Sequence, residues 1–351
     1  MKADSPHQRL IVEAGRKAIP LDVSIELTHH CNFRCKHCYI PNFSAPDLLS
    51  TERVLTLLDE LVAAGTLFLT LTGGELFLRK DWLVIARRAR ELGFALRLFT
   101  NGTLIDEAKA DQIAPLSAVV EISLYGATEE TYARVTARKG QMAKVHRAID
   151  LLRERDVPLL LKAPLMSLNH HDYEAIRDYA ASVGADFQVS PTIIAKKDGN
   201  QEPLALRVAP AELLPRLGGP STGCLVDDGD DDPRSSGPLC AAANRYCNIT
   251  SAGDVMACNI LPGSDANIRD RDFLDVWRNS AWLNKIRAIR KSDLHTCKSC
   301  SKLSYCGRCH AQALVEDGDL YGPSSYAQER AAVLEELVAT ENESPLPVLQ
   351  G

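Results

Sequence analysis

The chain has 351 residues, room for about two domains, with 45% hydrophobic and 25% charged residues as in an ordinary globular protein. Its 40 Lys and Arg against 46 Asp and Glu leave a net charge of −6, which argues against a broad nucleic-acid footprint. No stretch approaches the ~20 apolar residues that span a bilayer, and Met1 to Pro20 carries scattered charges without a signal-peptide core, so no membrane is expected and the location is expected to be cytoplasmic.

The first half alternates strand and helix patterns. Asp22 to Leu27 places Val23, Ile25 and Leu27 on one face, a strand that leads to Cys31. Ser50 can cap a helix with an apolar stripe of Val54, Leu57, Leu58, Leu61 and Val62, which Gly65 stops. Further strands are expected over Leu67 to Leu71, Phe94 to Phe99, Ala118 to Leu124, Val157 to Lys162 and Ala185 to Ser190. Helices are expected over Asp81 to Leu92, over Met142 to Arg155, and from a cap at Asn169 to Val183. Such βα repeats fold as a parallel sheet with right-handed crossovers, and they fall short of the eight in a closed barrel. The fold class is therefore α/β, a partial barrel whose ligands gather at the carboxyl ends of the strands.

From Pro191 the rhythm breaks. A short helix is expected over Pro210 to Leu217, then an acidic run from Asp227 to Pro233, read as a solvated loop. The region from Leu239 holds a hairpin around Ser251 to Asp254, a helix near Phe273 to Arg290, and a last amphipathic helix from Tyr326 to Val338. The expected divisions are an extension (1–20), a partial barrel (21–191), a linker (192–238), a cysteine-rich domain (239–338) and a disordered tail (339–351).

The cysteines stand out. Eleven is an odd number, and without a secretion signal metal or redox chemistry is favoured over disulfides. Cys31, Cys35 and Cys38 stand together after the first strand, and the next is Cys224. Three thiolates at this spacing can hold three irons of a cubane and leave the fourth open. Zinc is the alternative, with His29, His30 or His37 as fourth ligand. Gly73-Gly74-Glu75 ends the second strand, where glycines let a ligand approach the backbone and Glu75 offers a carboxylate.

Cys31-x3-Cys35-x2-Cys38, with Tyr39 following, resembles the signature of the radical S-adenosylmethionine (SAM) superfamily, and Gly73-Gly74-Glu75 resembles its methionine-binding motif. The resemblance implies a (βα)6 partial barrel from roughly 20 to 191 and a 4Fe–4S cluster on Cys31, Cys35 and Cys38 that binds SAM. It implies further SAM contacts from His37, Asn101, Ser123 and Arg134. Guanidinium suits a carboxylate because its fork is bidentate. A surface role for Arg134 is the alternative, and Lys162 is either a substrate or SAM contact or a plain strand-end lysine.

Cys240-x6-Cys247-x10-Cys258, with Gly253 five residues before Cys258, and Cys297-x2-Cys300-x5-Cys306-x2-Cys309 resemble the SPASM extension. That resemblance implies one or two auxiliary 4Fe–4S clusters. Cys240, Cys247, Cys258 and Cys309 would hold the first; Cys297, Cys300 and Cys306 would hold the second. The family's last cysteine is missing near Gly318-Asp319, which leaves Asp319, Ser325, Tyr326, His310 or water as the fourth ligand. An all-thiolate zinc site on Cys297, Cys300, Cys306 and Cys309 is the competing reading. Cys224 has no slot: it is a bystander thiol, a hydrogen-atom donor to a substrate radical, or a ligand that reaches back.

The resemblance implies reductive cleavage of SAM to a 5′-deoxyadenosyl radical and abstraction of a hydrogen atom from a ribosomally made peptide or a protein side chain. A cross-link, thioether, epimerisation or oxidation would result. A reducing partner such as flavodoxin or ferredoxin is implied, and a separate peptide-recognition protein is expected, since only about twenty residues precede the first strand. Cobalamin is not implied. The rivals are tetrapyrrole side-chain processing, sulfatase-type maturation, and a zinc or iron–sulfur binding module without catalysis.

Overall fold

The computed structural model describes residues 5–218 and 239–343. Cys224, the acidic run and the chain beyond 343 lie outside the described residues. Among the described residues, eight strands form one sheet in the order β6-β5-β4-β3-β2-β1-β7-β8. They are β1 (Asp22–Thr28), β2 (Phe68–Gly73), β3 (Ala95–Thr100), β4 (Val119–Ser123), β5 (Leu159–Pro164), β6 (Asp186–Ser190), β7 (Tyr246–Ile249) and β8 (Val255–Met256). The first six run parallel, as the repeats predict. The sheet is open between β6 and β8, a partial barrel.

Strand alternation divides the sheet into two faces. Val23, Ile25, Leu27, Leu69, Leu71, Leu96, Leu98, Val120, Ile122 and Leu161 form the outer face, all buried. The register puts the polar residues together on the inner face: Glu26 pairs with Thr72, Phe99 with Glu121, Ser123 with Lys162, and Pro164 with Ser190.

The outer face is covered by helices, including α2 (Thr51–Ala64), which buries Val54, Leu57, Leu58 and Leu61. Fully burying each such side chain contributes ~1.5–3 kcal/mol. The Ser50 hydroxyl accepts the Arg53 amide at 3.2 Å, and Gly65 ends α2 in the left-handed region at φ 89°. The other helices of this half are α1 (Pro6–Arg16), α3 (Trp82–Glu91), α4 (Glu107–Ile113), α5 (Glu129–Thr136), α6 (Met142–Arg153), α7 (Tyr173–Ser182) and α8 (Pro210–Arg216). The expected extension over residues 1–20 thus includes a helix, started by Ser5, whose hydroxyl accepts the Gln8 amide. Helices α4 and α5 are too short for their periodicity to stand out.

Asn169 does not cap α7 with its side chain. It is buried; its Oδ1 accepts the Met166 amide and its Nδ2 donates to the Tyr125 and Pro164 carbonyls. It ties the β4 and β5 ends together.

The cysteine-rich half is less separate than its composition suggests. Strand β7 pairs in parallel with β1, so the sheet crosses the expected boundary at 239. The expected hairpin is β7–β8. The helix expected near Phe273 to Arg290 is two, α9 (Phe273–Asn279) and α10 (Ala281–Ala288), broken at Ser280, whose hydroxyl caps α10 at the Leu283 amide. After α11 (His310–Val315), helix α12 (Ser325–Glu343) continues past residue 339, where a disordered tail was expected.

Arg79, only 9% exposed, fastens the loop after β2 to the start of α2. Its guanidinium donates to the Leu27 and Leu49 carbonyls at 2.8 and 2.9 Å and pairs with Asp81. Arg79→Met leaves both carbonyls and the carboxylate without this partner. A loss of about 3 kcal/mol in the stability of the metal-free chain is expected in urea unfolding, and an unchanged midpoint would refute this role.

Candidate functional site

A cavity of about 300 Å³ opens at the carboxyl ends of the strands. Cys31, Cys35 and Cys38, His37, Gly73, Gly74, Asn101 and Ser123 all border it. The chain brings them together because the loop after β1 folds over the ends of β2, β3 and β4.

Gly73 and Gly74 have a packing role that differs from the expected one. A Cβ on Gly74 would meet the His30 carbonyl oxygen at 2.3 Å, and one on Gly73, which sits at φ +141°, would meet that of Thr28 at 2.2 Å. The Gly74 amide donates to the Thr28 carbonyl at 2.7 Å, and the Glu75 amide to that of His30 at 2.8 Å. The glycines thus let the cysteine loop itself approach the backbone, and they still line the cavity.

Glu75 was expected to offer its carboxylate to a ligand; its side chain is instead fully buried and does not line the cavity. It accepts the Phe77 amide and the Thr100 hydroxyl on one oxygen and the Asn101 amide on the other. Burial raises its pKa above the usual carboxylate range. Asn101 in turn donates to the Asn32 side chain at 2.8 Å, so Glu75 positions the cysteine loop through β3.

Burial holds all three thiols above their ordinary pKa, Cys38 up to about 11. The Tyr125 hydroxyl hydrogen-bonds Cys35 and also meets Ser123. The His37 ring packs against Tyr125 at 5.3 Å, and its buried Nδ1 has no hydrogen-bond partner. Burial pushes its pKa down to about 4, so it is a neutral ring at pH 7. Arg134 is exposed, donates to the Leu168 carbonyl and does not reach the cavity. Lys162 pairs with Glu121 and lies 4.1 Å over the Phe99 ring.

No local pattern announces the buried network beside Cys38. Glu26 is fully buried and meets Lys197, His29 at 3.0 Å and the Asn248 amide at 3.3 Å. These partners hold its carboxyl below the usual range despite its burial. Lys197 lies 171 residues along the chain and also covers the Tyr39 ring. His29 is thus engaged, and His30 bonds the Phe43 carbonyl, so neither turns to the thiols as a zinc ligand.

No disulfide joins the ten described cysteines. Cys240, Cys258 and Cys309 lie within electrostatic reach of one another, and Cys306 of Cys297 and Cys300. The Arg308 guanidinium faces both sets and is pinned by the Leu320 and Gly322 carbonyls. Cys247 joins neither: it sits on the outer face, against Arg287. Three of the fourth-ligand candidates of the second set, Tyr326, His310 and Asp319, are engaged elsewhere, while the Ser325 amide meets Asp317. Tyr326 bonds the Pro191 carbonyl under the Arg207 guanidinium, His310 meets Arg308, and Asp319 meets His295 and the Tyr321 amide.

Among the described residues no group of three or more His, Cys, Asp or Glu gathers to hold one metal ion. The four-thiol zinc arrangement is therefore not formed. A cubane spreads its thiolates over separate iron corners, so three thiols around one cavity, beside an unpartnered imidazole nitrogen, fit a cluster. Nor is any helix of the described residues long and apolar enough to cross a membrane.

Comparison with known proteins agrees with this geometry. Residues 25–180 match the radical SAM superfamily model, and residues 240–301 match SPASM, an iron–sulfur cluster-binding domain. A PqqA peptide cyclase of Granulibacter bethesdensis is 26% identical over 340 residues, 91% of each chain. An AdoMet-dependent heme synthase of Methanosarcina barkeri is 24% identical over 335 residues, 88% of this chain and 96% of that one. Streptococcus suis SuiB bound to its precursor peptide SuiA shares the fold at a TM-score of 0.72 and 18% identity, over 93% of this chain and 82% of that one.

Replacing Gly74 by Ala forces its methyl group into the His30 carbonyl. It should cost ~1–3 kcal/mol and lower the iron bound by the Cys31 site. Gly15→Ala, where a Cβ meets nothing within 4 Å, serves as control. Equal iron and equal melting temperature in both variants would contradict the packing role.

Proposed function

We propose that this chain, which belongs to the radical SAM superfamily and carries a SPASM iron–sulfur extension, modifies a ribosomally made peptide or a protein side chain. The observation that carries this reading is the meeting of Cys31, Cys35 and Cys38 with Gly73, Gly74, Asn101 and Ser123 around one cavity. A 4Fe–4S cluster and SAM, when bound, supply an electron to the sulfonium and a 5′-deoxyadenosyl radical that takes a hydrogen atom from an unactivated carbon.

The three thiolates of the first loop hold the cluster, after burial has kept them protonated in the metal-free chain. The backbone of Gly73 and Gly74, with Asn101 and Ser123, binds SAM. The neutral His37 ring gives the cofactor an apolar wall. Glu75 acts at one remove, by fixing Asn101 and the cysteine loop. The apolar lining from Phe99, Ile193 and Ile194 keeps water from the reacting carbon.

The inner face favours a peptide over a tetrapyrrole polycarboxylate. Its cations are internally balanced: Arg97 pairs with Asp22, Lys162 with Glu121, and Lys197 with Glu26. A peptide backbone is neutral and needs no surplus cation, whereas a polycarboxylate does. Both the peptide cyclase and SuiB act on or bind peptides by name, which supports the same reading.

After anaerobic reconstitution, dithionite and SAM should yield 5′-deoxyadenosine, and Cys31→Ala should abolish it. Absence of 5′-deoxyadenosine from the wild type would end the catalytic reading. A peptide encoded beside the gene should then change mass with turnover. Conversion of a tetrapyrrole acid in place of every peptide tried would overturn the substrate class.

A further inference from the structure

Two lysines follow β6 side by side, and the turn that carries them sends them opposite ways. Gly199 sits in the left-handed region at φ +87°, and the Gly199 and Lys196 amides close the turn on the Lys196 and Asn200 carbonyls, each at 2.9 Å. Lys196 reaches out to Glu202, whose side chain is exposed. Lys197 points inward: its amide donates to the Tyr39 carbonyl at 2.9 Å, and its side chain is only 9% exposed. There it meets the fully buried Glu26 on the inner face of β1.

Both oxygens of Glu26 are engaged. One accepts from Lys197 and from the Asn248 amide, and the other faces His29 Nε2 at 3.0 Å. Among the described residues Glu26 is the one acceptor for the Lys197 ammonium, which also lies 5.2 Å from the centre of the Tyr39 ring. Stability does not account for such a pair. Two apolar side chains of the same volume would fill the site as well or better, because the cost of desolvating both charges offsets their attraction. What the pair adds is charge in a dry place. Tyr39 directly follows Cys38, and it borders the same cavity as Cys31, Cys35 and Cys38.

We propose that Lys197 is a positioning residue for the first cluster site: acting through Tyr39, its buried ammonium holds the Cys38 end of the cysteine loop and stabilises the cluster there in its reduced form. The inference rests on the reading that Cys31, Cys35 and Cys38 hold a 4Fe–4S cluster. Reduction adds one negative charge to that cluster, taken from an external one-electron reductant, and no bond is made or broken at Lys197. A cation in a low-dielectric site beside the loop favours the more negative state, and charge near the cluster is one of the levers that set its potential. Glu26 fixes where that cation stands, and through Asn248 and β7 the cysteine-rich half has a hand in placing it.

A redox titration of the reconstituted full-length chain, followed by electron paramagnetic resonance, reads the potential of the cluster whose signal changes on adding SAM. Lys197→Met should lower its reduced fraction about tenfold at a fixed potential, a shift of about 59 mV for one electron. Lys197→Arg keeps the charge and should stay near the wild-type potential. Glu26→Gln leaves the ammonium uncompensated and should shift the potential the other way. Glu26→Gln combined with Lys197→Met removes both charges and should return close to wild type, which a loss of packing would not do. An unchanged potential in Lys197→Met, an equal shift in Lys197→Arg, or a double variant further from wild type than either single one would overturn the inference. If Lys197→Met holds no iron, the sign of the Glu26→Gln shift decides, and a fall in potential there would overturn it. A wild-type chain without any SAM-responsive cluster would instead remove the cluster reading, and this inference with it.

Discussion

A side chain on a strand can face only one side of its sheet, and this constraint organises the molecule. The outer face is nearly all aliphatic and takes the helices; the inner face carries Glu26, Thr72, Glu121, Ser123 and Lys162. Because the strands are in register, those polar residues fall in layers. Three inner charge pairs link neighbouring strands or loops: Asp22 with Arg97, Glu121 with Lys162, and Glu26 with Lys197. Removing one partner of the buried Glu26–Lys197 pair costs several kcal/mol, and the pairs across strands favour this register.

Much of this was legible in the sequence. The six parallel strands follow from period-two and period-3.6 patterns, and the cavity residues from motifs at strand ends, because parallel sheets place every carboxyl end on one side. What the pattern could not show was long-range pairing. Nothing local in Lys197 points to Glu26, and nothing near Tyr246 says that β7 will lie beside β1. Glu75 shows a different limit. Its type and spacing fit a ligand contact, yet its oxygens are consumed by Phe77, Thr100 and Asn101, whose amides and hydroxyl arrive from the chain's own turns. Spacing also suggested that Cys247 belongs with Cys240 and Cys258, and only strand phase separates them.

The polypeptide around the cavity is cross-braced by parts far apart in the chain. The Glu75 amide and carboxylate join the cysteine loop to β3. Lys197 brings the segment after β6 over Tyr39, both through its side chain and through its amide on the Tyr39 carbonyl. Arg207 pairs bidentately with Glu316 and stacks at 4.0 Å on Tyr326, which joins the same segment to the start of α12. A cavity built this way keeps its shape without a ligand, and a pre-formed site spends less binding energy on ordering itself.

The place of β7 has a consequence for how the protein is made. Ser24 and Tyr246 are 222 residues apart, yet their strands are neighbours. During synthesis β1 emerges early and finds β2 soon after, while its other edge stays open until β7 leaves the ribosome. Translation at ~5–20 residues per second makes that wait roughly ten seconds or more. For that interval the nascent chain presents an apolar strand with unsatisfied backbone groups, a template for pairing with a neighbouring chain. Chaperone dependence, and the yield of soluble protein at different expression temperatures, are therefore properties of this one long-range strand pairing.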